Sequence, residues 1–291
     1  MKKFLITVLC LLTLVACGSS NNEVENKIDL TKVSSLEDIK GINIAYQNGT
    51  LQEDLVSQIE DGDLKGLDSF DSMAMEVLAG TVEGAIMDEP VAIVYGLKNN
   101  EFAYVPFINN ENGFAVDPEE YENACAFYNN DELLNEVNSV LETIPMEKCY
   151  ELMEEIIKVS NGQNVTSFCL ENDEPTEYKG TLRVGMECAS EPFNWTDIDA
   201  TSYGAVDIYS PGYEGMKANG LDVQIAKYIA NALGYKLEVY AIEWDSLLES
   251  LKLGQIDCII GNMSPTQARK DKGFTFSNSY YNVNYVVLYK K

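Results

Sequence analysis

The chain has 291 residues, of which 46% are apolar, and it carries a formal net charge of −27 with no histidine. This length allows two lobes with separate cores, and the acidic balance argues against binding to nucleic acid or to anionic lipid. The lack of histidine excludes Ser-His-Asp and Cys-His catalysis and removes the commonest metal ligand. Since the chain also has no glycine-rich phosphate-binding motif, we expect neither a cofactor nor a metal.

The first 17 residues have the pattern of a secretory leader. Two lysines precede an apolar stretch at residues 4–16, which is shorter than the ~20 residues that a membrane-spanning helix needs. The stretch ends in LVACG, where Cys17 resembles the lipidated cysteine of bacterial lipoproteins. Two acyl chains on Cys17 would give stable anchoring; the alternative is an ordinary signal peptide with a chance cysteine. The polar residues 18–33 predict a flexible tether.

Short apolar strands then alternate with amphipathic helices, which predicts parallel sheets and an α/β fold. In the first part of the chain, strands are predicted at residues 42–46, 84–87 and 113–116, and helices at residues 51–59, 71–79, 91–97 and 131–158. In the second part, strands are predicted at residues 182–186, 237–241, 257–260 and 285–289, and helices at residues 222–233 and 246–252. Residues 197–216 predict a surface loop, and residues 161–180 a connector between the lobes.

Five cysteines lie beyond the leader. They are Cys125, Cys149, Cys169, Cys188 and Cys258. An odd number cannot all pair, and their wide spacing contains no CxxC zinc or redox motif. We expect buried free thiols.

Residues 254–269 read GQIDCIIGNMSPTQAR, in which an apolar strand runs into a polar turn with Ser264 and Thr266, followed by Arg269. Loops at the carboxyl ends of strands are where open α/β sheets bind ligands. Backbone N–H groups, two hydroxyls and a guanidinium in one turn suit a carboxylate. Alternatively, Arg269 is a solvated helix charge.

Several motifs in the second part resemble, in the same order, the first lobe of the family 3 extracellular solute-binding proteins, the amino-acid receptors of ABC importers. They are LRVGMECASEPFNW (182–195), GLDVQIAKYIANALG (220–234), EWDSLLESLKLGQIDCIIGNMSPTQARK (243–270) and FTFSNSYY (274–281). The first part resembles the family's second lobe through SLEDIKGINIAYQNGT (35–50) and EVLAGTVEGAIMDEPVA (76–92). The resemblance implies a type II periplasmic-binding-protein-like fold, with two lobes that are each a parallel-rich sheet flanked by helices.

The resemblance also implies a reversed lobe order. The family's second lobe corresponds to residues 34–118, a helical segment at 119–160 returns to the other lobe, and the family's first lobe corresponds to residues 181–291. The chain therefore resembles a circular permutant whose original ends are joined through the connector, and such joins are tolerated where few contacts cross them. The alternative is a fragment of a tandem-receptor gene.

The resemblance implies a binding site for a zwitterionic amino acid. Its residues are Arg269, Ser264, Thr266, the backbone near Asn262, and Thr50 at the α-carboxylate, Asp88 at the α-ammonium, and Trp244 and Glu187 beside the ligand side chain. Each has a structural alternative, since Asp88 and Thr50 could cap helices and Trp244 could belong to the core.

One position departs from the family pattern. Relatives often carry an aromatic residue that sandwiches the ligand against the Trp244 position, whereas this chain has Ser190. Phe193, Trp195 or Tyr213 could substitute for it, so the ligand's side chain stays open between a basic residue, glutamine and cystine.

The function implied by the resemblance is that of a monomeric extracytoplasmic lipoprotein, anchored to the bacterial cell membrane and not an enzyme. It would close on a polar amino acid and deliver it to ABC permease subunits. Two alternatives stay open besides a non-binding structural lipoprotein, which would require that the lobes fail to close. The first is a sensory lipoprotein without a transport role. The second is a lyase for cyclic acids on the same fold, in which Glu187, Glu89 or Asp88 would supply acid–base chemistry.

Overall fold

The computed structural model describes residues 28–106 and 113–291, so the predicted leader and Cys17 lie outside the described residues. In chain order the strands are β1 (Asn43–Gln47), β2 (Asp63–Leu67), β3 (Gly84–Asp88), β4 (Phe102–Pro106), β5 (Glu122–Tyr128), β6 (Gly180–Met186), β7 (Ala189–Ser190), β8 (Asn194–Asp197), β9 (Val206–Asp207), β10 (Lys217–Asn219), β11 (Tyr235–Ala241), β12 (Cys258–Ile259), β13 (Phe274–Asn282) and β14 (Tyr285–Lys290). The helices are α1 (Leu51–Val56), α2 (Phe70–Ala79), α3 (Glu89–Lys98), α4 (Asp131–Leu141), α5 (Met146–Ser160), α6 (Leu221–Leu233), α7 (Trp244–Lys252) and α8 (Gln267–Lys270). Within the described residues, every helix is too short or too polar to cross a bilayer.

Two five-stranded sheets form the centres of two lobes, and their strand orders are equivalent. One sheet runs β2-β1-β3-β14-β4 and the other runs β11-β6-β12-β5-β13. In each sheet the neighbouring strands near one edge are parallel, while β14 or β5 is antiparallel to both of its neighbours. We call the units around these sheets the N-terminal lobe (residues 28–106 and 283–291) and the C-terminal lobe (residues 122–282). The predicted two-lobed α/β fold with parallel-rich sheets is confirmed.

The antiparallel strand of each sheet follows a crossing of the chain from the other lobe. The chain enters the C-terminal lobe at β5 and returns to the N-terminal lobe at β14. The crossings lie before β5 and after β13, and they run side by side, since the N–H of Val283 donates to the carbonyl of Tyr121 at 2.8 Å. The predicted lobe boundaries therefore need correction. Residues 285–289, expected in the lobe at 181–291, pair with β3 and β4 of the N-terminal lobe. A strand pattern does not specify its non-local partners, which is why the sequence misplaced this strand.

Three further predictions differ from the structure. Residues 113–116 form no strand, whereas β2, β4 and β5 were not predicted. The tether was expected to extend to residue 33, but Leu30 is only 5% exposed and packs into the core. The predicted surface loop at 197–216 contains β9, which joins β7, β8 and β10 in a small antiparallel sheet. Burial of the apolar side chain of Leu30 overrides the polar composition of the residues around it.

Local signals explain where the helices begin and end. The hydroxyl of Ser69 accepts the N–H of Ser72 at 3.2 Å and caps α2, which ends at Gly80 with φ 72°. Likewise α6 ends at Gly234 with φ 77°, a backbone conformation that glycine adopts without steric cost. The parallel strands end at the interface between the lobes, so the carboxyl ends of β1 and β3 face those of β6 and β12 across a cleft.

Candidate functional site

A small cavity lies in the cleft between the lobes, at the carboxyl ends of the strands. It is lined from the N-terminal lobe by Gln47, Thr50, Leu51, Gln52, Phe70, Asp88 and Tyr285, and from the C-terminal lobe by Ser190, Trp244, Asn262, Ser264 and Arg269. Its volume is about 20 Å³, enough for roughly one water molecule. The lobes are thus closed on each other in this structure.

Arg269 lies in the short helix α8 and is only 5% exposed. Its Nη1 donates to the carbonyl of Ser264 at 2.6 Å, and its Nη2 donates across the cleft to the carbonyl of Gly49 at 3.0 Å. The guanidinium carbon lies 5.5 Å from the centroid of the Trp244 ring, a cation–π contact. Burial lowers the pKa of Arg269 to about 10, so the side chain stays charged at neutral pH. A buried cation with neutral carbonyl partners is able to bind an anion.

Asp88 ends β3 and is 3% exposed. It occupies the N-cap position of α3, but its side chain makes no capping hydrogen bond. Instead its Oδ1 accepts from Gln52 Nε2 at 3.5 Å, and its Oδ2 accepts a short hydrogen bond from Asn262 Nδ2 of the other lobe. Burial raises the pKa of Asp88 to about 6, although both amide donors act to lower it. The carboxylate therefore faces the cleft with neutral partners, and the helix-capping alternative does not describe it.

Thr50, Ser264 and Trp244 surround these two charges. Thr50 caps α1, because its hydroxyl accepts the N–H of Gln52 at 3.2 Å, and it lines the cavity as well. Ser264 is 6% exposed and lines the cavity together with Tyr285. Trp244 begins α7 and is half-buried, so one face contributes to the core and the other to the cavity.

Glu187 and Thr266, the remaining predicted site residues, do not line the cavity. Glu187 follows β6 and accepts from the hydroxyl of Ser190 at 2.8 Å. Burial raises the pKa of Glu187. Thr266 is 6% exposed at the N-cap of α8, where its N–H donates to the carbonyl of Ser264 at 2.9 Å. Each of them hydrogen-bonds a residue that does line the cavity, Ser190 in the case of Glu187 and Ser264 in the case of Thr266.

Phe193, Trp195 and Tyr213, the candidates for an aromatic partner of Trp244, do not line the cavity, whereas Phe70 of the N-terminal lobe does. Phe193 is fully buried, with its ring centroid 5.6 Å from that of Tyr281. Sequence reasoning missed Phe70 because the preceding strand, β2, has no apolar alternation.

Tyr285, Gln47 and Gln52 were also missed. Tyr285 pairs directly with Asp88 in the ladder between β14 and β3. Directly opposed residues of an antiparallel pair have their side chains on the same face, so the detectable signal was the strand register. Gln47 and Gln52 flank the Gly-Thr turn that the sequence did single out.

A second buried carboxylate, Asp222, lies behind the cleft at the start of α6 with no exposed surface. It accepts from the phenol of Tyr280 and from Asn194 Nδ2, both at 2.7 Å. The backbone N–H of Asn262 also faces it, and burial raises its pKa to about 7. Asp222 therefore connects β8, the loop after β12 and the crossover strand β13.

The five cysteines beyond the leader are all free thiols, and four of them are buried. Burial raises the pKa of Cys125 to about 12, so this thiol is unreactive at neutral pH. Among residues 28–106 and 113–291, no group of three or more acidic or cysteine side chains is arranged to hold a metal ion.

Comparison with known proteins matches part of this chain to a described family. A family model described as bacterial extracellular solute-binding proteins, family 3, matches residues 182–291. The arginine-binding extracellular protein ArtP of Bacillus subtilis (strain 168) is 40% identical over 78 residues, which cover 27% of this chain and 30% of ArtP. The L-cystine-binding protein TcyA of the same organism is 31% identical over 113 residues, which cover 39% of this chain and 36% of TcyA. This chain thus matches about a third of the length of each relative.

Two other proteins also match parts of this chain. Domain 1 of the arginine-bound form of TmArgBP, solved as a Phe-to-Trp mutant, is 28% identical, covering 39% of this chain and 80% of that domain with a TM-score of 0.26. The membrane-bound lytic murein transglycosylase F of Vibrio cholerae (strain ATCC 39541) is 40% identical over 73 residues, but the match covers only 14% of that enzyme. The amino-acid-binding relatives share longer segments with this chain.

Proposed function

We propose that this chain, whose residues 182–291 match the family model of bacterial extracellular solute-binding proteins, family 3, captures a polar amino acid between its two lobes. In the proposed complex Arg269 holds the α-carboxylate and Asp88 holds the α-ammonium. The observation that carries the proposal is this pair of opposite charges, both buried in one cleft and bound to neutral groups alone.

A zwitterion is the ligand that this arrangement suits best. Burying a charge is costly unless an opposite charge compensates it, and both costs are offset together by a ligand with one anionic and one cationic end. The planar guanidinium of Arg269 can hold a carboxylate through two parallel hydrogen bonds. Ser264 and Thr50 add hydroxyls beside it.

Lobe closure follows from the same arrangement. Arg269 belongs to the C-terminal lobe and Asp88 to the N-terminal lobe, so only a closed form can satisfy both ends of the ligand. A ligand with higher affinity for the closed form shifts the population toward it. Two crossings side by side are the natural hinge for this motion.

The side-chain pocket is proposed to favour a cationic or amide-bearing amino acid. Glu187 and Ser190 are hydrogen-bonded to each other at the edge of the cavity, and Trp244 and Phe70 supply aromatic surface. The relatives named for arginine and for L-cystine fit such a polar pocket.

The cellular role is proposed by extension from the family. The chain would be secreted, lipidated at Cys17, tethered to the outer face of the cell membrane as a monomer, and would pass its amino acid to ABC permease subunits. We also propose that its lobe order is a circular permutation of the usual one. The order of the motifs supports this, because residues 35–92 resemble the family's second lobe and residues 182–281 its first.

A thermal-shift screen of the purified protein against the twenty amino acids and cystine tests the proposed function. A ligand that binds only the native state raises the melting temperature by mass action, and calorimetry then gives the affinity. One or a few polar amino acids should stabilise the protein. If none does, and calorimetry also detects no heat of binding, the proposal is wrong.

A further inference from the structure

Asn262 has an unusual backbone conformation at the centre of the cleft. Its φ is +53°, in the left-handed region that non-glycine residues rarely adopt and that asparagine tolerates better than most. It lies three residues after the end of β12 and lines the cavity. In this conformation the side chain of Asn262 reaches the cavity, whereas a glycine at this position would place no side chain there.

The amide of Asn262 is fixed in one orientation. Its Oδ1 accepts from Asn123 Nδ2 at 2.6 Å, and Asn123 is itself only 1% exposed. The Nδ2 group therefore points the other way, across the cleft, and donates to Oδ2 of Asp88 on the opposite lobe. The backbone N–H of Asn262 faces the buried carboxylate of Asp222, which holds the residue from behind.

Both ends of the proposed ligand site are therefore occupied by groups of the protein itself. At Asp88, the N–H donors of an amide stand where the N–H donors of an ammonium would bind. At Arg269, the carbonyl oxygen of Gly49 accepts as a ligand carboxylate oxygen would. The cavity of about 20 Å³ has room for roughly one water between them.

We propose that the side chain of Asn262 is an internal competitor of the ligand, which takes the place of the α-ammonium at Asp88 and thereby lowers the affinity of the cleft. This inference rests on the proposed function. When only a fraction of the protein molecules is in the state that can bind, the apparent Kd equals the intrinsic Kd divided by that fraction. A charged ammonium forms the stronger hydrogen bond to a carboxylate, so it displaces the amide, whereas a ligand without an ammonium does not. Asn262 thus selects for α-amino acids as well as setting their affinity.

The substitution Asn262→Gly tests the inference, because glycine adopts the same backbone conformation freely and removes only the side chain. Calorimetry with the amino acid found in the screen should show affinity raised about tenfold. Small-angle scattering of the ligand-free variant should show a larger radius of gyration, since a contact that closes the cleft has been lost.

The matched control is Asn129→Gly. Asn129 is also an asparagine in the left-handed region, with φ +51°, but it is exposed and follows β5 at the end away from the cleft. It should leave both the affinity and the radius of gyration unchanged. If Asn262→Gly folds but its affinity is equal to or lower than that of the original chain, this inference is wrong. The proposed function is not affected by that result. If neither chain binds any amino acid, the proposed function fails and this inference fails with it.

Discussion

The two sides of the cleft hold their charges in different ways. Arg269 is bound by two backbone carbonyls, one from each lobe, whereas Asp88 is bound by two side-chain amides, also one from each lobe. Burial brings the pKa of Arg269 only to about 10 but brings that of Asp88 to about 6. The cationic side is therefore permanent, while the anionic side depends on pH and on its amide partners.

The largest expected effect follows from removing the permanent charge. Arg269→Ala should abolish measurable amino-acid binding, because losing one partner of a buried charge pair costs roughly 3–5 kcal/mol, about two to three decades or more in affinity. Calorimetry checks this. Arg183→Ala is the matched control, since Arg183 pairs with Asp257 at 2.6 Å outside the cleft. Equal affinities for the original chain and Arg269→Ala would contradict the assignment.

Removing the conditional charge should have a somewhat smaller effect. Asp88→Asn preserves the shape and the hydrogen-bonding capacity of the side chain, so we expect an affinity about a hundredfold lower rather than complete loss, since a hydrogen bond to a charged group contributes roughly 1.5–3 kcal/mol. The exposed Asp63→Asn in the same lobe serves as the control. A negligible effect of Asp88→Asn would mean that the ammonium binds elsewhere.

Lowering the pH should weaken binding through the same carboxyl group. Asp88 in the ligand-free protein is protonated below its pKa of about 6, and a neutral carboxyl does not pair with an ammonium. The affinity should therefore fall about tenfold between pH 7.5 and pH 5.0, which is a linkage effect of one proton. Asp88→Asn should remove most of this dependence. If the original chain binds with the same affinity at pH 7.5 and at pH 5.0, the charge of Asp88 does not control binding.

The smallest expected effect concerns the stability of the ligand-free protein. Burial raises the pKa of Asp222 from 3.8 to about 7, so between these values the native state holds a proton that the unfolded chain has lost. The stability from this group is present at low pH and is lost as the pH rises through about 7. Asp222→Asn should raise the melting temperature at pH 7.5, by roughly 5 °C, and should change it little at pH 4.5. Thermal unfolding followed by circular dichroism measures these melting temperatures, with Asp63→Asn as the control. Equal melting temperatures for Asp222→Asn and Asp63→Asn at pH 7.5 would contradict the prediction.

Much of the fold was predictable because local patterns determine it. The apolar runs that end at Asp88 and before Asn262 were both recognised as strands, and their exits lie at the cleft. The sheet to which β14 belongs was not predictable, because strand pairing is decided by residues distant in the chain. Six of the eight predicted site residues line the cavity, but their roles in binding remain predictions.

The role of Asn262 shows the remaining limit. The sequence places an amide in a polar turn, yet neither its φ of +53° nor its reach across the cleft to Asp88 is visible there. Phe70 was missed for a related reason, since the strand before it is irregular in pattern and pairs only with β1. Features that depend on two lobes meeting need the three-dimensional structure.

The exchange of strands between the lobes has a consequence for synthesis on the ribosome. β14 lies between β3 and β4 in the finished sheet, but it is translated after the whole C-terminal lobe. At roughly 5–20 residues per second, the gap between β4 and β14 lasts on the order of ten seconds or more. During that interval the edge of β3 is unpaired and open to wrong partners. The sheet of the N-terminal lobe therefore stays incomplete until β14, the fourth strand in its order, emerges.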